Sequence, residues 1–195
     1  MRSSGSTRSP PARPALRLFV VLAGEDHPKA CTGRRLLRWG RVVRVPHEDA
    51  TTPSPIVLDP YSPVPLSGAD RRTAGEGGLL VVDCSWNRLS ARGAFPGARE
   101  GKHRHGIHRR LPVLVATNPQ HYGRLAQLTT VEAFSAALYV LGREGEAQDL
   151  LRRFAGGEEF FEVNRERLDR YERSAGPDDV LASERELFGG EEAPR

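Results

Sequence analysis

Two rhythms of apolar residues divide this chain. Up to Ala116 they come in short runs: Leu16–Leu22 (interrupted by Arg17), Val42–Val45 (by Arg44), Ile56–Leu58, Leu79–Val82 and Leu111–Ala116 (by Pro112). Bounded by Gly, Pro or charge, such runs have the look of strands buried on both faces of a sheet. From Thr129 onward the apolar positions recur every three or four residues, which is helical spacing. Thr129 and Glu132 stand at capping-box distance, and the apolar run to Leu141 predicts a helix. Further helices are predicted over about Glu146–Phe154, Glu159–Tyr171 and Asp179–Leu187. A short helix, Arg34–Trp39, is stopped by Gly40, and Ser67 to Arg72 starts another before Leu79. Strands with crossovers, followed by helices alone, place the chain in the α/β class.

Between these elements, Met1 to Pro14 is Ser, Arg and Pro with almost nothing apolar, and reads as a disordered basic arm. Pro53, Pro55, Pro60, Pro63 and Pro65 make an ordered but irregular wall around Asp59-Pro60-Tyr61-Ser62-Pro63. Arg92 to His108 is a Gly/Arg/His-rich loop, and the tail frays from Gly189. The expected organisation is an arm (1–14), a small α/β domain (15–75), a second domain (76–175), and a C-terminal helix and tail (176–195).

Composition narrows the class. The chain is 38% hydrophobic and 28% charged, which is globular, and no run approaches the ~18 apolar residues of a membrane span. Leu16–Ala23 is broken by Arg17 and followed by Glu25-Asp26, so it is not a signal-peptide core. A cytoplasmic protein that meets no membrane is expected. The two cysteines, Cys31 and Cys84, are too few for a disulfide scaffold or a four-cysteine zinc site, and read as small buried residues.

Charge adds a direction. The net +4 conceals a basic front, residues 1–46, and an acidic rear from Gly142 onward. A polyanion meeting the front fits that asymmetry. Only Lys29 and Lys102 are lysines; every other basic residue is arginine. That bias suits bidentate phosphate contacts and equally a G/C-rich genome. Arg34, Arg35 and Arg38, with Lys102, Arg104, Arg109 and Arg110, are the candidate RNA-binding residues. His103, His105 and His108 lack an Asp or Cys to complete a metal set, so no metal is expected.

Four constellations carry candidate chemistry. Asp83 ends a buried run at the place where open α/β sheets put their ligands, and Trp86 offers a flat apolar wall; a buried strand with a capping Asp is the plainer alternative. Thr32-Gly33-Arg34-Arg35 at a helix start suits an anion. Asn118-Pro119, His121-Tyr122-Gly123-Arg124 and Thr129-Thr130 form a polar approach to another helix start. The fourth is the basic stretch Arg99–Arg110. There is no Gly-x-Gly-x-x-Gly and no Walker sequence, and no Ser/His/Asp or Cys/His arrangement argues for covalent catalysis.

Taken in order, Asp26-His27-Pro28-Lys29-Ala30-Cys31-Thr32-Gly33-Arg34-Arg35-Leu36, Leu58-Asp59-Pro60, Val82-Asp83-Cys84-Ser85-Trp86, Leu111–Pro119, Tyr122-Gly123-Arg124 and Leu128–Ala133 resemble one family, and the likeness continues through Phe160–Asn164. It is the ribosomal RNA aminocarboxypropyltransferases, which modify a pseudouridine of the small subunit. The resemblance spans about Leu16 to Tyr171. It implies a SPOUT-type second domain with a deep trefoil knot, and S-adenosylmethionine as co-substrate. It further implies Thr32 at the amino-acid end of the donor, the backbone at Val82 and Leu111 against ribose and adenine, and Ala126 and Thr130 lining the same pocket. Leu58, Pro60, Trp86 and Leu128 would be its apolar walls. Ala126 departs from the bulky aromatic of the pattern, and the loop between Trp86 and Leu111 is longer than usual.

The reading that follows is transfer of the 3-amino-3-carboxypropyl group to N3 of a pseudouridine in small-subunit rRNA or a pre-ribosomal particle, by a monomer, releasing 5′-methylthioadenosine. Asp83 is the candidate base, or else steadies the sulfonium. A SPOUT-type methyltransferase and a non-catalytic RNA-binding assembly factor are the alternatives.

Overall fold

The computed structural model describes residues 14–23, 31–47, 50–84, 86 and 106–188. Expectations for the arm up to residue 13, the Asp26–Lys29 loop, residues 87–105 (with Lys102 and Arg104) and the tail from Gly189 lie outside the described residues.

The early apolar runs become one parallel sheet: β1 (Leu18–Leu22), β2 (Val43–Arg44), β3 (Ile56–Leu58), β4 (Leu79–Asp83) and β5 (Ile107–Arg109), in the order β2-β1-β4-β3-β5. The helices are α1 (Thr32–Arg38), α2 (Arg71–Gly77, entered through a 3-10 turn at Gly68–Asp70), α3 (Thr130–Val140), α4 (Glu144–Leu151), α5 (Gly157–Arg173) and α6 (Pro177–Phe188). The chain is α/β, as its pattern predicts.

β4 is the centre of the sheet. It runs in register with β1 from Leu18↔Leu79 to Leu22↔Asp83, and with β3 from Ile56↔Leu79 to Leu58↔Val81. Side chains alternate between the faces of a strand, so an unbroken apolar run fills both. Leu18, Val20, Ile56, Leu58, Leu79 and Val81 join the main core with Leu36, Ala74, Phe134, Leu138 and Phe160 from the helices. Phe19, Val57 and Leu80 turn the other way and pack with Val45. The turn into β4 needs Gly78: its φ is +88°, and a Cβ there would stand 2.6 Å from the Arg17 carbonyl oxygen. The expected domain boundary at residue 75 falls inside α2, and β4, beyond it, lies between β1 and β3, before it.

One predicted strand is displaced. The fifth strand of the sheet is Ile107–Arg109, at the end of the segment expected as loop. Among the described residues Leu111–Ala116 joins no strand of the sheet; its bridge is to a return segment, between Val115 and Leu125. Burial makes these residues apolar whether or not a strand lies alongside, so the pattern could not distinguish the two.

Candidate active site at the carboxyl end of the central strand

Asp83 closes β4 and is 8% exposed. Both of its carboxylate oxygens are used. Oδ2 accepts the Cys31 thiol at 2.7 Å, and Oδ1 accepts the Thr130 hydroxyl at 2.8 Å. Cys31 is the N-cap of α1, where its sulfur also accepts the Arg34 N–H at 3.3 Å. Thr130 is the first residue of α3. One carboxylate therefore ties two helix starts to the tip of the central strand. Gly33 makes this possible, since a Cβ at that position would lie 2.4 Å from Asp83 Oδ2. Burial, and then the bond to Asp83, push the Cys31 thiol from 9.0 up to about 12, so it remains a protonated donor at neutral pH.

The walls gather around this clasp. Trp86 is half-buried, and its Nε1 donates to the Leu128 carbonyl at 2.8 Å, joining the segment after β4 to the approach to α3. Leu128 is buried in the main core, and Leu58 ends β3 beside β4. Pro60 is exposed on the following turn. That turn is held by Asp59, whose Oδ1 accepts the Tyr61 N–H at 2.9 Å and whose Oδ2 meets His108 Nδ1 at 3.0 Å. Thr32 opens α1 next to Cys31. Leu111 is half-buried against the core. Val82 turns its side chain to the opposite face from Asp83 and pairs with Val21. Ala126 is the one non-glycine residue with positive φ (+58°) among the described residues, and its N–H donates to the Leu114 carbonyl at 2.9 Å. Thr32, Asp83, Trp86, Leu128 and Thr130 thus come together, with Leu58 and Pro60 one strand away.

Glu132 does more than its spacing implies. It is 2% exposed and completes the capping box by accepting the Thr129 N–H at 2.8 Å. The same carboxylate accepts the N–H groups of Thr117 and Asn118, each at 2.9 Å, and Asn118 Nδ2 at 2.7 Å. It therefore binds the segment 111–118 to the start of α3. A charged acceptor with several short donors is worth far more here than a surface cap.

Residues 56–188 match the family model described as "Ribosome biogenesis protein, C-terminal". The 16S rRNA aminocarboxypropyltransferase of Methanopyrus kandleri is 40% identical over 88% of this chain and 98% of its own length. The chain belongs to the rRNA aminocarboxypropyltransferase family. The 18S enzyme of Schizosaccharomyces pombe is 37% identical over 87% of this chain and 56% of its own length. Among solved structures, that titled the SAM-dependent rRNA:acp-transferase Tsr3 from Vulcanisaeta distributa superposes with a TM-score of 0.77. It is 36% identical and covers 90% of each chain. Residues 16–48 also match a model described as a possible Fer4-like domain in RNase L inhibitor. An iron–sulfur cluster is held by about four thiolates, whereas this segment of the family member has the single cysteine Cys31.

The arginines divide in two. Arg38 is exposed and Arg34 half-buried on α1, and neither forms an ion pair among the described residues. Arg35 instead lies over the rings of Trp39 and Phe154, at 5.2 and 4.3 Å. Arg109 and Arg110, expected on a phosphate-facing loop, are the last residue of β5 and the one after it, and both turn to carboxylates. Arg109 Nε pairs with Asp70 at 3.0 Å, and Arg110 makes a two-point pair with Glu184 at 2.6 and 2.8 Å. Each thus has a carboxylate partner within the fold.

Proposed function

We propose that this protein transfers the 3-amino-3-carboxypropyl group of S-adenosylmethionine to N3 of a pseudouridine in small-subunit rRNA, releasing 5′-methylthioadenosine. In this reaction the bond from sulfur to the side-chain carbon breaks, a bond from that carbon to N3 forms, and the N3 proton is lost. The observation that carries the reading is the clasp of Cys31, Asp83 and Thr130, with Trp86 and Leu128 beside it, at the carboxyl edge of the sheet in a member of this family. A donor with a cationic sulfonium, a carboxylate and an adenine asks for a negative charge, a helix start and apolar walls. Asp83, Thr32, and the group Leu58, Pro60, Trp86 and Leu128 offer them in turn, with Val82, Leu111 and Ala126 at the ribose and adenine.

The geometry favours the electrostatic role of Asp83 over that of base. Its two oxygens are already engaged by the Cys31 thiol and the Thr130 hydroxyl, while its charge still stabilises a neighbouring cation. Choice among the three carbons on sulfur is then a matter of which one faces the acceptor in line.

Arg34 and Arg38 are the residues offered to RNA phosphates. The reading also includes a monomer working in the cytoplasm and a SPOUT-type second domain with a deep trefoil knot; no described helix is long and apolar enough to cross a membrane. The test supplies donor labelled separately in the methyl group and in the methionine carboxyl, with small-subunit rRNA. Carboxyl label should enter RNA and methyl label should leave as methylthioadenosine. Methyl label in RNA would instead make the protein a methyltransferase, and label in neither, without donor binding, an assembly factor.

A further inference from the structure

The segment 113–117 has two edges with different partners. On one edge the partners are backbone: the Ala116 N–H donates to the Arg124 carbonyl, and the N–H groups of Ala126 and Gly123 donate to the Leu114 and Ala116 carbonyls, all at 2.9 Å. On the other edge, where a sheet would place its next strand, every partner is a side chain from a helix. The Val113 N–H donates to Glu184 Oε1 of α6 at 2.9 Å. The Val115 N–H donates to Asn164 Oδ1 of α5 at 2.8 Å, and Asn164 Nδ2 donates back to the Val115 carbonyl at 2.9 Å. The Thr117 N–H donates to Glu132 Oε1 of α3 at 2.9 Å. The Tyr171 hydroxyl completes the edge on the Val113 carbonyl at 3.1 Å. Three helices thus supply acceptors at the two-residue spacing of a strand.

All three acceptor residues are buried: Glu132 is 2%, Asn164 0% and Glu184 5% exposed. Burying two carboxylates and an amide is unfavourable unless their hydrogen bonds are made. Here the bonds are made to one segment of irregular backbone, and Arg110 compensates Glu184. A helix packed for stability alone would place an apolar residue at Asn164, between Phe160, Phe161, Leu168 and Tyr171 on its buried face. The polar choice on three helices, α3, α5 and α6, has a common object, the backbone from Val113 to Asn118.

We propose that Glu132, Asn164 and Glu184 are positioning residues that preset the donor-side wall, residues 111–118, before the donor arrives. The proposal rests on the reading in which Leu111, at the head of this segment, and Ala126, bonded to Leu114 across it, meet S-adenosylmethionine. A wall already ordered in the free protein spares the donor the cost of ordering it on binding.

Two experiments test this. In the wild-type protein, amide hydrogen exchange at Val113, Val115 and Thr117 is followed with and without S-adenosylmethionine. The expected result is protection like that of the α3 core amides in the donor-free protein, little changed by donor. Free exchange that becomes slow only with donor overturns the proposal without any variant having to fold. Asn164→Leu keeps the branched shape and the heavy-atom count of the side chain but forms neither bond. At a temperature where circular dichroism reports it folded, it should bind S-adenosylmethionine at least about tenfold more weakly, with kcat at saturating donor and RNA affinity within about twofold of wild type. Asn164→Asp, which keeps the acceptor, should recover part of the loss. A folded Asn164→Leu with unchanged donor affinity overturns the proposal alone; wild-type protein that binds no donor overturns the donor reading and this proposal together.

Discussion

Asp83→Asn separates the roles open to the central carboxylate. The amide keeps the shape of the side chain and loses its charge. Its oxygen can still accept one donor, while its NH2 faces the other. The Thr130 hydroxyl can rotate to accept, whereas the Cys31 sulfur already accepts the Arg34 N–H. The variant therefore settles with its oxygen toward Cys31 and its NH2 toward Thr130. Both bonds survive, changed from bonds to a charged group (about 1.5–3 kcal/mol each) to neutral ones (about 0.5–1.5 kcal/mol). The loss is about 2 kcal/mol, which in a chain of this size lowers Tm by about 4–8 °C. Donor binding should suffer separately. A sulfonium at about 4 Å from a carboxylate gains about 4 kcal/mol at an effective dielectric of about 20, so affinity should fall by roughly one to three decades. The rate at saturating donor should stay within about tenfold of wild type. Thermal unfolding, calorimetry with S-adenosylmethionine and single-turnover transfer to rRNA measure the three quantities. Unchanged donor affinity with a rate lower by about 10²–10⁴ would refute this reasoning and make Asp83 the general base.

Cys31 predicts a change in alkaline stability. Its thiol keeps its proton up to about 12 in the fold and ionises near 9.0 when released, so its contribution is complete below pH 9 and fades between pH 9 and 12. Cys31→Ser should flatten that part of the urea-unfolding profile, and parallel profiles would contradict the assignment. For RNA, replacing Arg34 and Arg38 with Gln should reduce the slope of log affinity against log salt by about 0.7–0.9 for each phosphate no longer neutralised, leaving Tm unchanged. Arg109→Gln should do the reverse, because its partner Asp70 is buried. Equal slopes for the Arg34/Arg38 variant and wild type would remove α1 from the RNA surface.

What can be read from the chain depends on how local its cause is. Ile56–Leu58 and Leu79–Val82 are legible because strands buried on both faces are apolar throughout. The capping box at Thr129 and Glu132 is legible because both partners lie in one turn. The second role of Glu132 is not, since its further donors belong to a loop whose path depends on the whole fold. Asn164 does leave a signal: an amide on the apolar stripe of a helix, at helical spacing from Phe160 and Leu168, announces a buried partner without naming it. Glu184, on the face of α6 that buries Val180, leaves the same mark. Cys31 reads as a small buried residue, and it is one. That it donates to Asp83 requires the approach of α1 to β4, which Gly33 permits and no pattern of apolar residues records. The carboxylate partners of Arg109 and Arg110 are hidden because charge density along a sequence says nothing of which way a side chain turns.

The place of β4 in the sheet also has a consequence for how the chain must assemble. The central strand is made after both of its neighbours, and its pairing with β1 closes a loop of about sixty residues, while that of β3 with β5 closes one of about fifty. Neither can form as a local hairpin. Until β4 arrives, β1 and β3 each present an open edge, and two exposed edges in one nascent chain invite pairing with each other or with another chain. The native sheet is complete only when this one strand has been inserted between two made before it.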